Sequence, residues 1–260
     1  MDIYRVYGTV LESLGLYRSA IEAYVKASTI TPNLTFLYLN IGVNYRQLRD
    51  YDTALDYFNQ AVQINKQLHD ELQDQDPVPY LAIGKTYSQQ GEFFAAALNI
   101  ARALAINPSD ADIYGRLGIV YYKARNYESA IPVLKCAVEG CTAQESNTIL
   151  CDLGYAECEP ESDAPLAGMD VRGLVLGSGS VEYYYTYAAA LAYYSGTEEY
   201  PLGCQDAEGL HEQLLGLYGA DPIVYGIVEE NRAICSQVSD FVEEATPESS
   251  PVSPTPTLQP

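Results

Sequence analysis

Residues 77–110, PVPYLAIGKTYSQQGEFFAAALNIARALAINPSD, run directly into residues 111–144, ADIYGRLGIVYYKARNYESAIPVLKCAVEGCTAQ. The two lines share their small residues in register: Gly84 with Gly118, Ala96 with Ala130, and Ala103 with Ala137. Working outward toward the N-terminus, the same set recurs as Gly42, Ala54 and Ala61, and again as Gly8, Ala20 and Ala27. The intervals are 34, 42 and 34 residues, and the wide one holds eight extra residues, His69 to Asp76. A period of this length predicts units of two antiparallel helices, with small residues where the helices cross too closely for a larger side chain. Bulky positions repeat with them: Tyr4, Tyr38, Tyr80 and Tyr114 in the first helix, and Tyr17, Tyr51, Phe93 and Tyr127 near the turn. Tyr24, Phe58, Ile100 and Leu134 follow in the second helix. Pro32 and Pro108 stand where a unit must end.

The order of an aromatic, then Leu-Gly-x-x-Tyr, then Ala-x-x-x-Phe-x-x-Ala, then Pro resembles the tetratricopeptide repeat family. It is met in four units, 1–34, 35–68, 77–110 and 111–144, with an acidic insertion at 69–76. Lys66 and Thr142 replace the terminal proline, and Leu11 stands for a tyrosine. The resemblance implies an all-α fold, a right-handed α-solenoid of helix-turn-helix repeats over residues 1–144. Residues 145–180 are expected as a cysteine-containing loop. Residues 181–240 are expected as a degenerate fifth unit with a capping helix, and 241–260 as a Pro/Ser/Thr-rich tail. In the fifth unit Tyr184, Tyr187, Ala188 and Leu191 keep the first-helix spacing, while Ala207 and Leu214 belong to the second helix. Asp221-Pro222 opens a last helix through about Gln237, as a solenoid needs to cover its apolar end.

Composition narrows the function. The chain has 260 residues, with 35 acidic and 14 basic side chains and a net charge of −21. Nucleic-acid phosphates and anionic membrane surfaces repel such a chain, and no apolar run reaches the roughly 20 residues of a membrane span. The charge is polarised: residues 1–140 carry −3 and residues 141–260 carry −18.

All six cysteines follow residue 135. The midpoint of Cys204 and Cys235 falls in the Tyr-Gly-Ala-Asp-Pro turn between two predicted helices, so a disulfide across that hairpin is geometrically natural. Closing a loop of about 30 residues, it would stabilise by about 3 kcal/mol. Cys136, Cys141, Cys151 and Cys158 allow three pairings, of which the local one, Cys136 with Cys141 and Cys151 with Cys158, is the expectation. Zinc is the alternative, but the gaps are wide for paired ligands and no histidine is near. Disulfides imply export to the extracellular space or cell surface. Met1 opens no signal peptide and falls inside a repeat's first helix, so the expectation is that the true N-terminus precedes this chain.

No catalytic constellation emerges, and neither an enzyme nor a cofactor is expected. His69 and His211 lack partners at motif spacing and read as exposed surface residues. Gly177-Ser178-Gly179 reads as a flexible loop, not a phosphate cradle. Asp70, Glu71, Asp74 and Asp76 lack the spacing and central glycine of a calcium loop and read as a solvated acidic segment.

The resemblance implies that the first helices line a concave face. Its positions here include Arg5, Leu39, Val43, Arg46, Gln47, Leu81, Lys85, Gln89, Ile119, Tyr122 and Lys123, with acids at Asp2, Glu12 and Asp112. For so acidic a chain that face is mildly basic and partly apolar, which suits an extended peptide bearing apolar anchors and a carboxylate or two; a merely solvated face is the alternative. Thr9, Val43, Lys85 and Ile119 do not match the carboxylate clamp of chaperone-binding members. In the run Tyr183, Tyr184, Tyr185, Tyr187, Tyr193 and Tyr194, Tyr184 and Tyr187 read as core and the rest as an exposed rim for a partner or sugar, with an all-core run as the alternative. Residues 246–260 read as an extended, O-glycosylated spacer, and Asn33-Leu34-Thr35 is an N-glycosylation sequon. Two functions follow: an exported scaffold that captures a peptide of another protein through its concave face, or a subunit that self-assembles head-to-tail or tail-into-groove into a fibre or coat.

Overall fold

The structure, a computed structural model of the chain, describes residues 2–69, 71–158 and 167–245, and of Asp2, Gln73 and residues 238–245 the backbone only. The tail at 246–260 and Asp70 therefore lie outside the described residues. Four helix pairs stack in order: α1 (Asp2–Ser13) with α2 (Tyr17–Ile30), α3 (Thr35–Gln47) with α4 (Tyr51–Leu68), α5 (Val78–Gln90) with α6 (Phe93–Ile106), and α7 (Ala111–Lys123) with α8 (Tyr127–Val138). After them come α9 (Ala143–Asp152), α10 (Val181–Tyr194), α11 (Gly203–Tyr218) and α12 (Pro222–Ala245). The fold is an all-α solenoid.

Two local devices repeat with the period. The first is the turn between paired helices, where Gly15, Arg49, Gly91 and Arg125 take left-handed backbone (φ 72°, 61°, 83° and 59°). That conformation ends the first helix by a six-to-one bond, such as Glu92 N–H to Tyr87 O at 2.9 Å. The second is a glycine covered by a buried side chain sixteen positions on: Gly8 by Tyr24, Gly42 by Phe58, Gly84 by Ile100 and Gly118 by Leu134. A Cβ at Gly42 would stand 2.5 Å from the Phe58 ring, which explains why the crossing point is glycine.

The eight-residue insertion is ordered around polar side chains. It lengthens α4 to 18 residues, and the Asn65 amide then holds the backbone of Asp76 in both directions, donating at 2.8 Å and accepting at 3.0 Å. Tyr80 Oη donates to Gln75 Oε1 at 3.1 Å, so Gln75 is buried with its acceptor satisfied.

The stack continues beyond α8 through α10, which packs on α8 as α3, α5 and α7 pack on the second helix before them, and which also reaches α7. Residues 139–158 and 167–180 lie beside the stack rather than in it. The segment expected as a loop holds helix α9, which rests on the second helices α6 and α8. Strands β1 (Gly140–Cys141) and β2 (Val171–Arg172) pair antiparallel beside it, Gly140 opposite Arg172. Helix α9 starts at a capping box of Thr142 and Glu145. Buried Asn147 ties the returning strand to it, donating to Glu157 O at 3.1 Å and accepting from Ala167 N–H at 3.1 Å. The last helix runs to Ala245, beyond its expected end near Gln237. No helix among the described residues is long and apolar enough to cross a membrane.

Candidate functional site

Helices α5, α7 and α10 enclose a pocket of about 390 Å³ on the first-helix side of the stack. Five of the residues singled out from the sequence line it: Leu81, Lys85, Gln89, Ile119 and Lys123. Arg116 and Asp112 of α7 join them, with Glu182 and Tyr183 of α10. Arg5, Leu39, Val43, Arg46 and Gln47 sit on α1 and α3, outside this pocket, and Tyr122 turns away from it. Arg5 lies 6.0 Å from the Phe36 ring. Leu39 and Val43 are half-buried and Gln47 is exposed. Tyr122 packs between Tyr127 and Tyr193, with ring centroids 5.5 and 6.3 Å away. Glu12 accepts from Tyr24 Oη and Asn44 Nδ2, both at 3.1 Å.

The pocket is organised by one carboxylate. Arg116 Nε donates to Asp112 Oδ2 at 2.6 Å, and Tyr183 Oη donates to Asp112 Oδ1 at 2.5 Å. Tyr183 reaches there because Gly115 has no side chain, since a Cβ would stand 2.7 Å from its ring. Burial works against the Arg116 charge, and the Asp112 carboxylate outweighs it, raising its pKa. Burial and the neighbouring Asp112 also raise the Tyr183 phenol, which stays protonated as a donor.

Around this pair the other cations repel one another. Arg46 donates to Ala82 O at 3.3 Å with its guanidinium 5.6 Å from the Phe58 ring, and burial followed by the charge of Arg116 lowers its pKa. Desolvation, then Arg46 and Arg116, lowers the Lys85 ammonium. Lys85, Arg116 and Lys123 line the pocket with two carboxylates, Asp112 and Glu182, of which Asp112 is already engaged, and Arg46 adds its charge from α3 outside it. The pocket has unspent positive potential in a chain of charge −21.

Arg116 and Tyr183 were not among the expected groove residues. Arg116 stands four residues after Asp112, a spacing that carries an ion pair on one helix face; Tyr183 has no comparable signal. The structure corrects two other expectations. Tyr183, expected on an exposed rim, is buried, whereas Tyr193 is 42% exposed and Tyr185 and Tyr194 are half-buried. The reason is the arrival of α10 over Gly115. His211, expected on the surface, is only 1% exposed, because α12 folds over it; His69 is exposed. His211 Nδ1 lies 3.2 Å from Glu208 Oε2 and its Nε2 lies 3.4 Å from Asn231 Nδ2.

The six cysteines form three disulfides, Cys136–Cys141, Cys151–Cys158 and Cys204–Cys235, with Cα separations of 4.8, 5.0 and 5.6 Å. The last ties α11 to α12 beside the ion pair of Glu208 with Arg232. Asn33 is exposed between α2 and α3.

Residues 2–34, 34–109 and 81–145 each match a family described as Tetratricopeptide repeat. Among curated proteins the chain is similar to BBSome complex member BBS4 of Bos taurus, 26% identical over 117 residues, which is 45% of this chain and 21% of that protein. The Mus musculus counterpart is 28% identical over 108 residues, 42% of this chain and 19% of its own length. The match thus spans about a fifth of the length of these relatives. Among solved structures the fold is similar to that of MamA, with a TM-score of 0.51 and 19% identity over 79% of this chain and 95% of that one. It is also similar to the APC/C hetero-tetramer Cut9-Hcn1, at 0.53 and 15% over 94% of this chain and 42% of that one. YrrB, described as a TPR protein with an unusual peptide-binding site, matches at 0.50 and 13% over 87% of this chain and 90% of that one. This fold supports a protein–protein interaction scaffold. The repeated glycine locks, the left-handed turns and the family matches agree: the chain belongs to the tetratricopeptide repeat family.

Proposed function

We propose that the protein is a non-enzymatic scaffold whose concave face holds an extended, carboxylate-bearing peptide of another protein. Arg46 and Lys85 carry this reading, because burial and then the neighbouring guanidinium charge disfavour their charged forms while Arg116 is already held by Asp112, and an incoming carboxylate would relieve both. Leu81 and Ile119 supply apolar contacts in the same pocket. Peptide binding by YrrB and assembly membership of the BBSome relatives support the class of activity. The test is fluorescence anisotropy with a labelled peptide of alternating glutamate and leucine. Binding that weakens with salt and falls about tenfold in a Lys85→Glu/Lys123→Glu variant is expected; equal affinity in wild type and variant would defeat the proposal.

A second reading rests on α1. Ile3, Val6, Tyr7 and Val10 are 81%, 51%, 56% and 49% exposed, an apolar face at the solenoid's first end that suits a neighbouring copy. Extended filaments by electron microscopy would favour self-assembly as a fibre or coat; a discrete monomer would exclude it. The three disulfides support an exported location with glycans on Asn33. Recovery of all six cysteines as free thiols from its native compartment would remove that argument.

A further inference from the structure

The opposite side of the fourth unit carries a second hollow, unlike the groove in sign. Two adjoining cavities of about 660 and 480 Å³ share walls at Pro132, Ile149, Asp152 and Tyr200. They lie along α8, with α9 on one side and the segment leading into α11 on the other. Their apolar walls include Ile131, Ile149 and Leu191. This hollow exists because α9 is laid over the second helices α6 and α8, leaving a trough between α9 and the end of the stack.

Its rim is anionic. Glu128, Asp152, Glu199 and Asp206 line it, and none of these four has an ion-pair partner among the described residues. The cation in its wall, Lys135, is spent on Glu145 at 2.8 Å. Pro132 lies inside α8 and has no N–H, so the Glu128 carbonyl lacks its usual donor four residues on. The field reaches the phenols: after burial, Asp152 raises Tyr121 and Glu199 raises Tyr200. An apolar floor with a rim of unpaired acceptors fits side chains that combine both characters, lysine or arginine alternating with aliphatic residues.

We propose that this convex trough is a second docking site, for a cationic, partly apolar peptide segment of a partner protein. It lies on the opposite sign and the opposite face from the concave pocket, so one scaffold could hold an acidic and a basic segment at once. Charge complementarity points to a basic segment of a partner: the acidic half of a second copy, residues 141–260, carries only two basic residues and would be repelled by this rim. The proposal stands whether or not the concave pocket binds.

The probe is a fluorescein-labelled peptide of alternating lysine and leucine, titrated into the full, disulfide-intact chain. Saturable binding is expected, together with hydrogen-exchange protection at α8 and α9 of the wild-type protein. Glu128→Gln/Asp152→Asn/Asp206→Asn should weaken it about tenfold by removing rim charge. Removing the same charge elsewhere, as Glu22→Gln/Asp56→Asn/Glu212→Gln, should leave affinity unchanged. No binding, equal loss in the two neutralised variants, or protection on α5 and α7 instead would each overturn the proposal.

Discussion

The Gly42–Phe58 contact gives the sharpest test of how the repeat is locked. In Gly42→Ala the new Cβ would lie 2.5 Å from Phe58 Cε1, 2.7 Å from Cδ1 and 3.0 Å from Cζ. The ring cannot simply retreat, because Phe58 is fully buried within the packed core. Overpacking of this kind costs about 1–3 kcal/mol. Alanine in place of glycine within a helix returns about 1 kcal/mol. A 2.5 Å contact puts the clash in the upper part of that range, about 2–3 kcal/mol, so the net expectation is a destabilisation of about 1–2 kcal/mol. Phe58→Ala alone should cost about 3–5 kcal/mol through its cavity. Combined, the two should cost less than their sum by about 1–2 kcal/mol, since the new methyl then occupies vacated space. Urea denaturation followed by far-ultraviolet circular dichroism measures the totals. Because repeat arrays can open locally, hydrogen exchange of α3 and α4 amides locates the loss. Wild-type stability or better in Gly42→Ala, or additivity in the double variant, would refute the lock.

Other outcomes follow from single features. Arg49 holds left-handed backbone at φ 61°, so Arg49→Gly should raise stability by about 0.5–1 kcal/mol in the same urea assay. Replacing Cys204 and Cys235 by serine releases a loop spanning a sequence separation of 31 and should lower the melting temperature in proportion to about 3 kcal/mol. Burial lowers the His211 pKa against the opposing pull of Glu208, with Arg232 adding to the decrease and Glu229 opposing it. Its folded pKa is below the unfolded one, so its stabilisation is present above about pH 6.5 and is lost as pH falls through that range; melting curves should show this and His211→Gln should flatten it. The Lys135 ion pair and the Thr142 hydrogen bonds hold the Glu145 pKa down at about 2. That contribution is complete above the ordinary carboxylate range and disappears as pH drops toward 2, visible as acid loosening of α9 in hydrogen exchange.

Much of the solenoid is legible in the chain because its causes are local. Close helix crossings demand small residues at fixed offsets, and Gly8, Gly42, Gly84 and Gly118 announce the unit wherever the rest varies. Lys85 and Lys123 can be read as groove residues from their place in a first helix alone. Arg116 is harder, since its role depends on Asp112 being shared with a residue of another helix. Nothing in the order of residues places His211 under α12 either, because the phase of a helix against its neighbour is set by packing.

The repeat, its turns and the sign of its groove are thus properties of sequence, fixed by interactions a few residues to one helical hairpin apart. The place of α9 is not, since residues 145–180 read as a loop and hold a helix. The chain offers α9 first, yet α10 continues the stack, and Tyr183 meets Asp112 across 71 residues of sequence. The preference belongs to the packed state: α10 brings a broad apolar face with Tyr184, Tyr187 and Leu191 to cover the α8 surface, whereas α9 is a ten-residue helix whose exchange for it would bury less. Displacing α9 onto the outer face is also what opens the anionic trough. The two surfaces of opposite charge are a consequence of that choice, and only the tertiary structure makes it.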